Sequence, residues 1–144
     1  MKRIDFHFGI AWVVMCLALG LHVLDEALND FLSVYNPTVE SIKSRLPFIP
    51  LPTFSFAGWL TGLIVAVVIL FLLSPFAFDK ARWMIPLAYV FGFIMLANGL
   101  LHIAGSFYFG YFMPGVVSTP VLLASSIYLL LSIKQIREIS TSNI

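Results

Sequence analysis

Residues 8–31 read FGIAWVVMCLALGLHVLDEALNDF, an apolar run whose one histidine and three carboxylates, Asp25, Glu26 and Asp30, all fall near its far end. About 20 apolar residues is the length that crosses a bilayer core as a helix. Ionisable groups inside such a run are costly enough to mark a functional position. On a helix His22, Asp25, Glu26 and Asn29 follow the i, i+3, i+4, i+7 spacing and share one face. Asp25 and Glu26 diverge by about 100° and bracket the direction of His22 from the next turn. Ala11, Met15 and Ala18 continue that face backwards, and small residues there suit close helix contact. The polar face is therefore expected to line a cavity inside a bundle.

The cost of this arrangement sets its meaning. Each carboxylate at a helix centre costs roughly 2.5–3.5 kcal/mol on insertion scales. An interhelical polar contact returns only about 0.6–2 kcal/mol, so glue between helices does not offset the pair. Counting 1.5 Å per residue from Phe8, Glu26 lies roughly 27 Å along a core of about 30 Å, where nearness to an interface lowers the cost.

Composition agrees with the lipid reading. The 144 residues are 60% hydrophobic and 10% charged, with a mean hydropathy of +1.00, which places the chain among integral membrane proteins. One compact bundle, residues 1–144 as a single membrane domain, is the natural size. A net charge of +1 argues against a nucleic-acid or acidic partner. The single cysteine, Cys16, allows no intrachain disulfide and excludes thiol-rich zinc ribbons. Lys2, Arg3 and Ala18-Leu19-Gly20 resemble a signal peptide, but the apolar run continues past that point to Leu24, so a retained first span is expected.

Outward from the first run, three further spans are expected. The fold class is all-α, a four-transmembrane-helix bundle with spans at about 8–31, 56–78, 83–107 and 116–133. The connection 33–53 holds Pro37, Pro47, Pro50 and Pro52 and cannot be a regular spanning helix. Its middle, residues 38–46, is expected to form a short helix capped by Asn36, with Pro37 at the first position. Span two carries nothing ionisable. Span three brings the second polar pair, Asn98 and His102, four residues apart on one face. Span four opens with Thr119-Pro120 and holds Ser125 and Ser126, which can bond back to their own helix. Thr119 and Pro120 are expected to flank the site, with Tyr108 or Tyr111 at its rim.

Six Lys and Arg residues (Lys2, Arg3, Lys80, Arg82, Lys134, Arg137) fall on one side of this topology, against Lys43 and Arg45 on the other. The positive-inside rule then puts both termini in the cytoplasm and the Pro-rich connection outside. Spans one and three run in the same direction. His22 and Glu26 lie 14 and 18 residues beyond Phe8, and Asn98 and His102 lie 14 and 18 beyond Met84. Two independent helices thus place polar pairs at one depth, in the outer third of the membrane, and a shared site is expected.

His22-Val-Leu-Asp25-Glu26 resembles the motif of the HXXEE family of small bacterial membrane proteins. Asn98-Gly-Leu-Leu-His102 and Tyr111-Phe-Met-Pro114-Gly115-Val-Val-Ser-Thr119 resemble that family's later Asn…His and Pro-Gly…Thr elements. Asp25 stands where the family has its first glutamate. The resemblance implies a multi-pass protein of the bacterial cytoplasmic membrane, read as an enzyme, and leaves its reaction open.

Glu26, His22, His102, Asn98 and Asp25 are therefore the candidate catalytic residues. Two imidazoles and a carboxylate are the donor set of zinc hydrolases and non-haem iron sites, which makes His22, Glu26 and His102 candidate ligands of a divalent metal such as zinc or iron. Asp25 or Asn98 would orient a ligand from behind. In this first reading the chain hydrolyses an ester or amide in a lipid-like substrate. A second reading is metal-free acid–base isomerisation of an apolar substrate. A third is a small transporter or proton relay.

Overall fold

The computed structural model describes the backbone of residues 7–141 and the side chains of residues 7–136. Lys2, Arg3 and the side chain of Arg137, which enter the orientation argument, lie outside the described residues. Among those described there are six helices and no strand: α1 (His7–Leu28), α2 (Leu32–Arg45), α3 (Phe56–Leu72), α4 (Ser74–Phe78), α5 (Met84–Phe109) and α6 (Thr119–Thr141). Three of them, α1, α5 and α6, are long and apolar enough to cross a membrane. The chain is an all-helical membrane protein. At 17 residues, α3 is more apolar than these three but shorter.

Helix α1 is the axis of the molecule, packing against α6, α3 and α4 and more briefly against α5. Its residues Phe8, Trp12, Met15 and Cys16 are fully buried and interleave with Met84 of α5 and Leu122, Leu129 and Ile133 of α6. The longest packed seam joins α5 to α6. Gly99 permits it, since a Cβ there would sit 2.7 Å from Leu123 and 3.5 Å from Thr119. Helix α3 leans on α1 without an extensive contact with α5, so the two diverge.

Several boundaries differ from expectation, each for a local reason. Helix α1 stops at Leu28 because Asp30 takes a left-handed conformation (φ 55°), which lets Phe31 N donate to the Glu26 carbonyl at 3.1 Å. This six-to-one closure ends helices at a residue tolerant of positive φ, and aspartate is one of those. Helix α2 starts six residues before the expected 38 and holds Pro37 inside it. Asn36 is not its cap. Its amide donates to the Phe54 carbonyl (2.9 Å) and accepts from Phe54 N (3.1 Å), while Tyr35 Oη donates to the Pro52 carbonyl (3.1 Å). These bonds staple α2 to the returning Pro-rich segment. The expected span 56–78 is two helices, broken at Leu73, because Pro75 has no N–H and its ring clashes with the carbonyl four residues back. The expected fourth span begins at Thr119, not 116, since residues 113–118 form the turn that enters it. Ser126 does bond back to its own helix, donating to the Leu122 carbonyl at 2.8 Å.

Candidate functional site

The end of α1 places His22 and Glu26 one turn apart on its buried face, and α5 presents Asn98 and His102 with the same spacing. Between α5 and α6 the chain folds back over both pairs. Ser106 anchors that return: its hydroxyl donates to the His102 carbonyl (2.8 Å) and accepts from Met113 N (3.0 Å). Gly115 then passes directly over the site with φ 90°. A Cβ there would lie 2.6 Å from His102 Cε1 and 3.0 Å from Glu26 Cγ. Both the backbone angle and the space restrict the position to glycine.

His22, Asn98, Glu26 and His102 are thereby brought together, and three of them are almost wholly buried: His22 at 1% exposure, His102 at 3% and Glu26 at 5%. His102 Nε2 lies 3.0 Å from Glu26 Oε1 and 3.3 Å from His22 Nε2, and His22 Nε2 lies 3.5 Å from Glu26 Oε1. The imidazole planes cross at 88°. Asn98 Nδ2 is 3.1 Å from His22 Nε2.

Asp25 joins from behind. Its Oδ2 accepts from both the backbone N and the hydroxyl of Ser118, each at 2.8 Å, and Ser118 Oγ lies 2.8 Å from His22 Nδ1. The one hydroxyl proton of Ser118 faces two acceptors, Asp25 and the Gly115 carbonyl at 3.0 Å. His22 Nδ1 must then be the donor to Ser118, which leaves its Nε2 lone pair aimed at Asn98, His102 and Glu26. Asp25 therefore reaches His22 through a hydroxyl rather than directly, and its short side chain fits that contact. Its outer side lines a small polar cavity of about 320 Å³ together with Asn29 and Ser33.

His102 is held differently. Its Nδ1 is buried with no hydrogen-bond partner among the described residues. Its ring is set by Gly115 on one side and by Phe31, at a centroid distance of 5.6 Å, on the other.

The three atoms His22 Nε2, His102 Nε2 and Glu26 Oε1 could be ligands of one ion. An ion about 2.0–2.2 Å from each ligand separates them by roughly 3.3–3.6 Å in a tetrahedron and 2.8–3.1 Å in an octahedron. The observed 3.0, 3.3 and 3.5 Å span those edges. The hydroxyl-linked carboxylate behind His22 is the kind of support that fixes the tautomer of a metal-bound histidine.

Sequence reading missed Ser118, because in isolation it looks like a helix-capping hydroxyl. Its only signal was its place beside Thr119 in the Pro-Gly…Thr element. Thr119 itself is fully buried but donates to the Gly115 carbonyl (2.9 Å), so it secures the turn. Pro120 and Tyr108 are exposed, and Tyr108 borders a surface cleft with Pro37 and Arg45 instead of the site; Tyr111 borders the cavity beside Asp25. Phe31 and Trp59, stacked at 5.9 Å, flank the site on the α3 side and were also not foreseen.

A family model described as a protein of unknown function with HXXEE motif matches residues 12–129, more than four-fifths of the chain. No curated protein and no solved structure matches it. The matched stretch contains every residue of the site just described, from His22 to Ser118, and on this evidence of extent the chain belongs to the HXXEE family.

Proposed function

We propose that this protein is a membrane-embedded, metal-dependent hydrolase of a lipid-like substrate. The observation that carries the reading is the buried triangle of His22 Nε2, His102 Nε2 and Glu26 Oε1, with edges of 3.0–3.5 Å. A divalent ion held by these residues would also neutralise the buried Glu26 carboxylate. When bound, zinc or iron supplies Lewis acidity and an activated water. The chain's own groups do the rest. His22 is locked as an Nδ1–H donor by Ser118 and Asp25. Asn98 can donate its amide to a substrate carbonyl, and Glu26 can hold a proton passing from water to the leaving group. In the net step the acyl carbon gains the hydroxyl of water, and the leaving oxygen or nitrogen takes the remaining proton.

In the same reading, α3 is a fourth, tilted or shortened span and the chain is one integral domain of the bacterial cytoplasmic membrane. Both termini are cytoplasmic, and the Pro-rich connection and the site lie on the outer side. The six-to-two division of basic residues supports this orientation. A reporter fused after Ser44 should be active only as an extracytoplasmic reporter; cytoplasmic activity there would invert the topology.

A metal-free acid–base enzyme is the second reading, favoured by a specific feature. His102 donating Nε2–H to Glu26 leaves Nδ1 as an unpaired acceptor, which is cheaper to bury than an unpaired N–H. Transport ranks third, because Met15, Trp12 and Leu122 pack without exposure beneath the site. Elemental analysis of purified protein beside a Glu26→Gln control decides between the first two. Stoichiometric zinc or iron lost in the variant is the expected result; no bound metal in the wild type would hand the site to acid–base chemistry.

A further inference from the structure

Alongside the site runs a cleft of about 550 Å³, within the size range of small-molecule sites. It forms where α3 and α5 diverge over α1. His22, Glu26 and Asn98 stand in its wall, and Leu63 of α3 faces Ile94 and Leu101 of α5 across it. Ile94 and Leu101 are 54% and 68% exposed, so the cleft opens sideways, on the flank of the apolar helix α5. Trp59 and Phe31 close its end. Its walls carry far more apolar than polar surface, and the polar atoms are gathered at one place.

Resting on the hydrolase reading, we propose that the substrate is an acyl lipid whose hydrocarbon chain enters this cleft sideways from the bilayer and brings its carbonyl to His22, Glu26 and Asn98. A chain leaving lipid for the cleft gains little apolar burial, because lipid is as apolar as the wall. Selection therefore falls on shape and on the carbonyl end. A cleft lined on both sides by aliphatic side chains, with polar atoms in one wall, meets both requirements.

The test uses full-length protein in nanodiscs of dioleoyl phosphatidylcholine, titrated with dibrominated stearic acid, the kind of acid that acyl hydrolysis leaves. Bromine quenches tryptophan at short range, and Trp59 borders the cleft whereas Trp12 and Trp83 do not. A saturable quenching component is expected, absent in Trp59→Phe. Ala97, an exposed residue on the cleft wall, allows an obstruction that leaves the core intact. Ala97→Phe should weaken the saturable component roughly tenfold, the scale of an overpacked contact. Ile94→Phe provides the same obstruction should Ala97→Phe fail to fold. Quenching that is linear in acid, or saturable but indifferent to both obstructions, overturns the cleft. Repeating the titration with chelator and measuring zinc in the Ala97→Phe protein separates the two ideas. Saturable quenching without any bound metal keeps the cleft and discards the hydrolase, and retained zinc without saturable quenching does the reverse.

Discussion

The two ends of α1 are buried to the same degree by opposite chemistry. At one end Phe8, Trp12 and Met15 are at 0–1% exposure and meet mainly apolar neighbours, with Trp12 Nε1 donating to the Leu70 carbonyl at 2.9 Å and Ser126 Oγ donating to Met15 Sδ at 3.6 Å. At the other, His22 and Glu26 are at 1% and 5% and meet nitrogen and oxygen. The first end gains stability from packing, since dense contact is what holds helices together once they are in lipid. The second end costs stability and gains a site. The difference teaches that burial alone does not report function in this molecule; the match between burial and polarity does.

That contrast can be broken most sharply from the apolar end. Trp12→Ala should cost about 3–5 kcal/mol of stability, as large core truncations do, while the folded fraction keeps its metal and ligand binding. Thermal unfolding in detergent alongside metal content reads both; loss of binding in the folded fraction would mean the ends are not separate.

A double-mutant cycle sharpens the same point. Glu26→Gln and His102→Ala alter the two sides of one buried 3.0 Å contact and should couple by roughly 0.5–3 kcal/mol in ligand affinity or stability. Trp12→Ala with His102→Ala should add within about 0.3–0.5 kcal/mol. Equal additivity in both cycles would reduce the polar end to unrelated helix termini. Next in size, Ser118→Ala should weaken metal affinity about 10–100-fold, the usual range for loss of a group supporting a ligand. Ser118→Thr, which keeps the hydroxyl, should recover most of it, and a silent Ser118→Ala would detach Asp25 from the site. The smallest effect is expected at Asn36→Ala, about 1–2 kcal/mol for two partly solvated hydrogen bonds. It should be visible as faster hydrogen exchange in α2 with the triad's binding unchanged.

The legible parts of this molecule were those governed by local spacing. His22 with Glu26 and Asn98 with His102 each declare a helix face, and equal distances from Phe8 and Met84 align the pairs without any tertiary information. What stayed hidden depends on contacts distant in sequence. Asn36 reads as a cap until Phe54 is placed beside it, and Pro37 reads as a helix start for the same reason. Ser118 gains its role only when α6 returns alongside α1. The break at Leu73 was within reach, since Pro75 stands in the run, but a continuous apolar pattern outweighed it.

The contact between Asp25 and Ser118 has a consequence for biogenesis. The partners are 93 residues apart, so at about 5–20 residues per second the serine is made roughly 5–20 s after the aspartate. During that interval α1 enters lipid with acids that have neither Ser118 nor His102 to meet them. A polar group kept from water costs free energy until it is paired, so the bond that ties α1 to α6 can close only once the last helix has been made.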